Sequence, residues 1–383
     1  MAVIAPSAMN ERQIPERPYF GISATLDAAS RPLVNLPKSA GFAASGQRLG
    51  GEVRVRRLAF MASSKQRSLS DQGAERRVVL AKPRGFCAGV TRAIEAVERA
   101  LALFGPPVYV RRPIVHNRDV IARLERLGAI FVKESSEVPD GAVLILSAHG
   151  AAQQVHRDSK SGDRHVFDAT CPLVAKVHAH VVTQQHQGRH IILIGHAEHP
   201  ETIGTIGQLP SGSFSLVCAV DEVQRLDLPP STKIAFATQT TFSVRESHSI
   251  IAAITRKFAD VAGPRSSSIC YATTNRQTAI EAIAAQVDYV LVAGDPMSSN
   301  ARRLVEVAAA AGGIDAVLVS GRDDLDWTRI DSARTVGLTA AASTPDSVVN
   351  NICDALADRG FVIGEYEGIE ESVIFKPVAI GTA

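Results

Sequence analysis

The sequence predicts an α/β protein built as three similar domains, each a parallel sheet covered by helices. Two observations carry this. From Val78 onward, apolar runs of strand length alternate with segments whose apolar residues recur three and four apart. In addition, a cysteine stands between an extended run and a helical pattern at three places: Cys87 after VVLAKPRGF, Cys171 after HVFDAT and Cys270 after SSSI. A junction repeated three times predicts three strand ends facing one shared cleft. The expected segments are an extension over 1–77, α/β domains over 78–170, 171–269 and 270–360, and a tail over 361–383.

In chain order, the helix after Cys87 is marked by Val90, Ala93, Ile94, Val97 and Leu101. AVLILSAHG then reads as a strand buried on both faces, as parallel sheets require. Pro172 directly after Cys171 suits the first position of a helix, and HIILIGHAEHPE and KIAFATQTT read as the strands that follow. Thr273, Thr274 and Asn275 supply helix-start chemistry after Cys270. DYVLVAGDPMSSN and TVGLTAAAS complete the strands. Cys218 in SFSLVCAV and Cys353 in VVNNICDAL read as small buried hydrophobes.

At 383 residues the chain exceeds what one hydrophobic core usually supports. With 45% apolar, 21% charged and 5% aromatic residues it has the composition of a soluble globular protein. No stretch approaches the roughly 18 apolar residues of a membrane span, so no membrane partner is expected. Five cysteines, an odd number, argue against a disulfide scaffold and for a reducing compartment, the cytoplasm. Residues 1–77 carry 12 Lys and Arg against 6 Asp and Glu, and the remainder 29 against 33. The basic extension reads as disorder or as a misplaced start, since Met61 heads a shorter chain just ahead of the first strand. It lacks the interleaved aromatics of a nucleic-acid arm, so no nucleic-acid partner is expected.

Thiols 84 and 99 residues apart cannot form a zinc-ribbon hairpin, but three converging strand ends could hold one metal cluster by thiolate ligation and leave one iron of a cubane open. A helix N-terminus behind each thiol favours the thiolate. Polar residues collect at the carboxyl ends of the strands: His149, His196 with His199 and Glu201, Gln239 with Thr240 and Thr241, Ser298–Asn300, and Ser343. Ligands bind at that edge of open α/β sheets. Donors of this kind suit a phosphate or diphosphate, while the absence of a Walker-type loop and of a dinucleotide fingerprint disfavours nucleotide chemistry. Glu201 is the carboxylate best placed for proton transfer; its plainer reading is a first-turn helix acid.

Eight motifs in order then resemble one family: PRGFCAGV (83–90), PIVHN (113–117), SAHG (147–150), FDATCPLVAKVH (167–178), IGHAEHPE (194–201), ATQTT (237–241), ICYATTNRQ (269–277) and SSN (298–300). They are similar to the bacterial 4-hydroxy-3-methylbut-2-enyl diphosphate reductases, the LytB family, from about Val78 to near Phe375. The resemblance implies reductive removal of an allylic hydroxyl to give isopentenyl and dimethylallyl diphosphate, the last step of the non-mevalonate isoprenoid route. It also implies a pseudo-threefold fold around the cleft, with Cys87, Cys171 and Cys270 as the three ligands of one [4Fe-4S] cluster with an open iron. It further implies diphosphate contacts from His116, His149, His199, Ser298, Ser299, Asn300 and Ser343, and proton delivery by Glu201 through Thr240, with His149 helping to position the leaving oxygen. No flavin or nicotinamide site is legible, so the reducing power is expected from an external carrier of ferredoxin or flavodoxin type. The sequence departs from the family at Ala301, Arg302 and Ala341, the last replacing a usual glycine, and at Ile203. Two rival classes remain open at this stage, a non-catalytic iron–sulfur redox sensor and a zinc-binding module.

Overall fold

The protein is described by a computed structural model, which covers residues 75–381. The expected extension, apart from its last three residues, and Met61 lie outside the described residues. Among the described residues thirteen strands form three wholly parallel sheets. One contains β2 (Val108–Arg111), β3 (Ala129–Val132), β4 (Val143–Leu146) and β5 (His165–Asp168) in the order β3-β2-β4-β5. A second contains β6 (His190–Ile194), β7 (Phe214–Val217), β8 (Lys233–Thr238) and β9 (Asp260–Ala262) in the order β7-β6-β8-β9. The third contains β10 (Tyr289–Ala293), β11 (Ala316–Val319), β12 (Thr335–Ala340), β1 (Arg77–Leu80) and β13 (Val362–Glu365) in the order β11-β10-β12-β1-β13.

The three sheets therefore share one pattern, with a single difference of connectivity. In two of them the fourth strand follows the third in sequence. In the last sheet that place is taken by β1, from the start of the chain, with Val79 level with Gly337 and Leu80 with Leu338. So the expected segment 78–170 gives its first strand to the third sheet, and 361–383 contributes β13 on the other side of β1. The physical reason is burial. β1 reads RVVL with Val78 and Leu80 buried, and they pack into the apolar cluster of Leu291, Leu338 and Ile352. Each fully buried aliphatic side chain of this kind contributes roughly 1.5–3 kcal/mol.

The strands carry the near-continuous apolar runs that parallel sheets demand: β4 is VLIL and β10 is YVLVA, buried at every position. Each cysteine sits where the chain leaves one sheet for the next. The helix Ala88–Phe104 begins at Cys87 and packs on β2 and β4. Pro172–His186 begins at Cys171 and packs on β6 and β8, and Tyr271–Ala284 begins at Cys270 and packs on β12. The runs before the cysteines are only partly strand. Cys171 follows β5 by three residues, whereas PRGF before Cys87 and SSSI before Cys270 are irregular loops. Arg276 fixes the first of these loops: fully buried, it donates from Nη2 and Nε to the carbonyl of Gly85 at 2.7 and 3.1 Å and pairs with Glu371 at 2.9 Å.

Candidate functional site

In every sheet the chain turns from one side to the other between the second and third strands in spatial order, β2/β4, β6/β8 and β10/β12. At such switch points the loops after the strands part and leave a crevice. His116 follows β2 and His149 follows β4; His199 follows β6 and Thr240 follows β8; Ser298 follows β10 and Ser343 follows β12. The fourth strand of each sheet leads to the cysteine. The twelve residues to which the family resemblance gave roles, Cys87, His116, His149, Cys171, His199, Glu201, Thr240, Cys270, Ser298, Ser299, Asn300 and Ser343, line one cavity together with Thr241, whereas His196 and Gln239, also expected at the cleft, do not line it.

The thiols occupy N-cap positions of their helices, with extended backbone at Cys87 (φ −97°, ψ 164°) and Cys270 (φ −74°, ψ 155°). The Cys270 sulfur accepts the Thr273 N–H at 3.4 Å. Gly89 is glycine because of the thiols: a Cβ there would stand 2.7 Å from Cys171 Sγ and 3.9 Å from Cys87 Sγ. Burial is the leading influence on the acidity of Cys171 and Cys270. It pushes Cys171 up to about 11 and Cys270 up to about 12, against the lowering effect of the helix N–H groups. The expected acidifying influence of the helix start is thus present but outweighed by desolvation in the protein alone. Among the described residues no three His, Cys, Asp or Glu side chains are close enough to hold a single metal ion. The three thiols nonetheless line one cavity.

Around the cavity's other side three histidines stack edge and face: His116 and His149 have ring centroids 4.2 Å apart, with His199 at 5.6 and 6.0 Å from them. Burial is the leading cause that lowers all three, His116 to about 4 and His199 to about 3, so in the protein alone they are neutral rather than cationic. His199 Nδ1 accepts the Glu201 N–H at 3.2 Å, which leaves Nε2 to carry the ring proton. Both nitrogens of His116 and Nδ2 of Asn300 are buried without a partner among the described residues. Buried polar atoms of this kind call for a partner, and three of them belong to residues that line this cavity.

Ser298, Ser299 and Asn300 open the helix Ser299–Gly312. Asn300 Oδ1 accepts the Ala342 N–H at 3.0 Å, and Ser343 Oγ donates to the His116 carbonyl at 3.1 Å. Ala341 is buried and is not among the described non-glycine residues with positive φ, so alanine costs no backbone strain there. Glu201 is both a first-turn helix acid and a cavity group. Its Oε1 accepts the Thr240 N–H at 2.6 Å and its Oε2 the Thr240 hydroxyl at 2.8 Å. Burial raises it to about 7, Thr240 opposing.

Sequence reasoning placed Gln239 at the cleft without seeing that it is a support, and missed Asp295 altogether. Gln239, 1% exposed, donates to Thr241 Oγ1 at 2.6 Å and Ser299 Oγ at 3.2 Å and accepts the His196 N–H at 3.0 Å, tying the second sheet's loops to the third's. Asp295, also buried, accepts from Arg118 N and Nε at 3.0 and 3.1 Å and anchors the loop before Ser298 to the chain just after His116. A glutamine inside ATQTT and an aspartate inside GDPM are the only sequence signals they give. The remaining two cysteines stand apart: Cys353 packs partly buried against the third sheet's core, but Cys218 is exposed, its sulfur donating to Glu222, so the buried reading of Cys218 is corrected. It falls just past the end of β7, where the sheet no longer covers it.

The family model described as LytB protein matches residues 78–357. The chain belongs to the LytB family. Relatives named 4-hydroxy-3-methylbut-2-enyl diphosphate reductase from Klebsiella pneumoniae and Salmonella schwarzengrund are 48% and 49% identical over 304 residues, 78% of this chain and 95% of theirs. A solved structure of the E-1-hydroxy-2-methyl-but-2-enyl-4-diphosphate reductase from Plasmodium falciparum superposes with a TM-score of 0.77 at 39% identity, covering 80% of this chain and 96% of that one. A second solved structure, of (E)-4-hydroxy-3-methyl-but-2-enyl diphosphate reductase, the terminal enzyme of the non-mevalonate pathway, gives a TM-score of 0.55 at 28% identity, covering 74% of this chain and 99% of that one. The LytB fold thus accounts for the three sheets, and no helix among the described residues is long and apolar enough to cross a membrane.

Proposed function

We propose that this chain reduces 4-hydroxy-3-methylbut-2-enyl diphosphate, removing the allylic hydroxyl as water and releasing isopentenyl and dimethylallyl diphosphate, the closing step of non-mevalonate isoprenoid synthesis. The observation that carries this is the single cavity shared by three thiols, a carboxyl whose pKa burial raises to about 7, and unpartnered polar atoms of His116 and Asn300. The sensor and zinc readings account for none of these polar atoms and leave Glu201 without a task.

Cys87, Cys171 and Cys270 would hold a [4Fe-4S] cluster with one iron lacking a protein thiolate. When bound, it supplies electrons singly and a Lewis-acidic iron for the alcohol. His116, His149, His199, Ser298, Ser299, Asn300 and Ser343 take the diphosphate, and their binding energy, remote from the C–O bond, fixes the hydroxyl against the thiol side of the cavity. His149 positions the leaving oxygen. Glu201, protonated below about 7, gives its proton toward that oxygen through Thr240, so that water and not hydroxide departs. The balance is R–OH + 2 e⁻ + 2 H⁺ → R–H + H2O, and the two electrons come from a reduced carrier of ferredoxin or flavodoxin type in the cytoplasm.

The test is anaerobic reconstitution with iron and sulfide followed by turnover with reduced methyl viologen. Broad visible absorption that bleaches on reduction, together with conversion of the hydroxylated diphosphate, is the expected result. Zinc in place of iron, or a loaded protein that leaves the diphosphate untouched, would sink the reading.

A diphosphate arriving among neutral histidines raises their pKa, so binding takes up protons and weakens as pH rises. Calorimetry with inorganic pyrophosphate in buffers of different ionisation enthalpy is expected to show uptake on the order of one proton at pH 7. An enthalpy independent of buffer would mean the histidines bind uncharged.

A further inference from the structure

We propose that the open hollow beside Cys270 is the docking surface of the electron carrier, a small acidic one-electron redox protein. The inference rests on the reductase reading above and names where its electrons enter. The hollow, about 760 Å³, lies between the helix Pro172–His186 and the loop 263–269 that leads to Cys270. Cys270 and Leu173 line both this hollow and the central cavity, while Cys87 and Cys171 line the cavity but not the hollow. One layer of side chains therefore separates solvent from the thiol cavity at this point. Electron transfer weakens steeply with distance, so a place where the thiol Cys270 itself lines an open hollow is one where a carrier is useful.

Charge singles out the same place. The charged residues lining the hollow are Lys176 and Arg265, both cations and both exposed, and no Asp or Glu lines it. Yet residues 78–383 as a whole hold 33 acidic against 29 basic side chains. A cationic spot with no acid lining it steers a negatively charged partner to that place. Lys176 Nζ donates to Ser266 Oγ at 2.6 Å, bridging the two walls. Transient redox encounters need only small interfaces, under about 1,200 Å², and such a shallow cationic hollow suits one. Each visit oxidises one reduced carrier by one electron, and two visits match the two electrons and two protons that convert one R–OH to R–H and water.

The experiment uses the iron-loaded full chain and the charge-reversed double variant Lys176→Glu/Arg265→Glu, with a plant-type ferredoxin and a flavodoxin as probes. Carrier affinity is measured by titration calorimetry at low ionic strength, and turnover is driven in parallel by each reduced carrier and by reduced methyl viologen. The expected result is a loss of about tenfold or more in affinity and in carrier-driven kcat/KM, a flatter salt dependence, and unchanged dye-driven turnover. Lys176→Gln/Arg265→Gln is expected to lose less in the same direction. Wild-type affinity and carrier-driven turnover for both probes in the charge-reversed protein overturn the docking site, as does a fall in dye-driven turnover that matches the carrier-driven one. A wild-type protein that is loaded with iron but inactive with the dye strikes instead at the reductase reading, and the docking site falls with it.

Discussion

Changing any one of Cys87, Cys171 or Cys270 to serine is expected to abolish turnover, a loss of at least about 100-fold, together with loss or alteration of bound iron. Serine is nearly isosteric but its hydroxyl does not ionise in the accessible pH range and is a poor ligand for iron held in sulfide. The three positions are not interchangeable with the other cysteines. Cys218 is exposed beside Glu222 and Cys353 packs on the far side of the third sheet, so their serine variants are expected to keep iron, absorbance and rate. Each site cysteine caps the helix that carries the chain from one sheet to the next, which places the three thiols on a common cavity without any of them being close in sequence. Iron per chain, the visible spectrum and dye-driven turnover measured on five single variants decide the matter. A Cys87, Cys171 or Cys270 variant with full iron content and wild-type rate would show that residue is no ligand.

The class of fold was legible because parallel strands buried on both faces leave an unmistakable record: VLIL and YVLVA allow no other exposure pattern. The site was legible for a related reason, since the polar residues that interrupt those runs fall at the strand ends where the crevice opens. What periodicity could not disclose was partnership between strands. RVVL at 77–80 reads the same whether it pairs with the sheet that follows it or with one more than two hundred residues later, and only the register of Leu80 against Leu338 decides. Buried polar supports were equally silent. Arg276 in a helical segment has the look of a solvated side chain until Gly85 and Glu371 are brought to it, and Gln239 acquires its meaning from His196 and Ser299. The effect of burial on acidity also lies beyond sequence. Histidines that would be partly charged in water are neutral here, and the helix-start thiols of Cys171 and Cys270 are raised, because desolvation outweighs the local dipole.

Glu201→Gln is expected to lower kcat by about 10²- to 10⁴-fold with iron content and substrate affinity little changed. The amide fits the same place: its oxygen accepts the Thr240 N–H as Oε1 does, and the Thr240 hydroxyl can turn to accept from the amide nitrogen. What is lost is an exchangeable proton at the cavity wall, and with it the means of releasing oxygen as water. The pH profile separates this from a structural role. In the wild type the acid must be protonated to act, so the rate falls as pH rises through about 7, where burial has put the carboxyl. The variant lacks that inflection. Stability carries the same signature: a carboxyl raised above its unfolded value contributes stability that is complete below its unfolded pKa, about 4.3, and lost as pH climbs to about 7, whereas the amide is indifferent. Wild-type turnover in Glu201→Gln, or a variant rate that still falls with the same inflection, would remove Glu201 from the proton path and leave Thr240 bonded to a carboxylate with only a structural part to play.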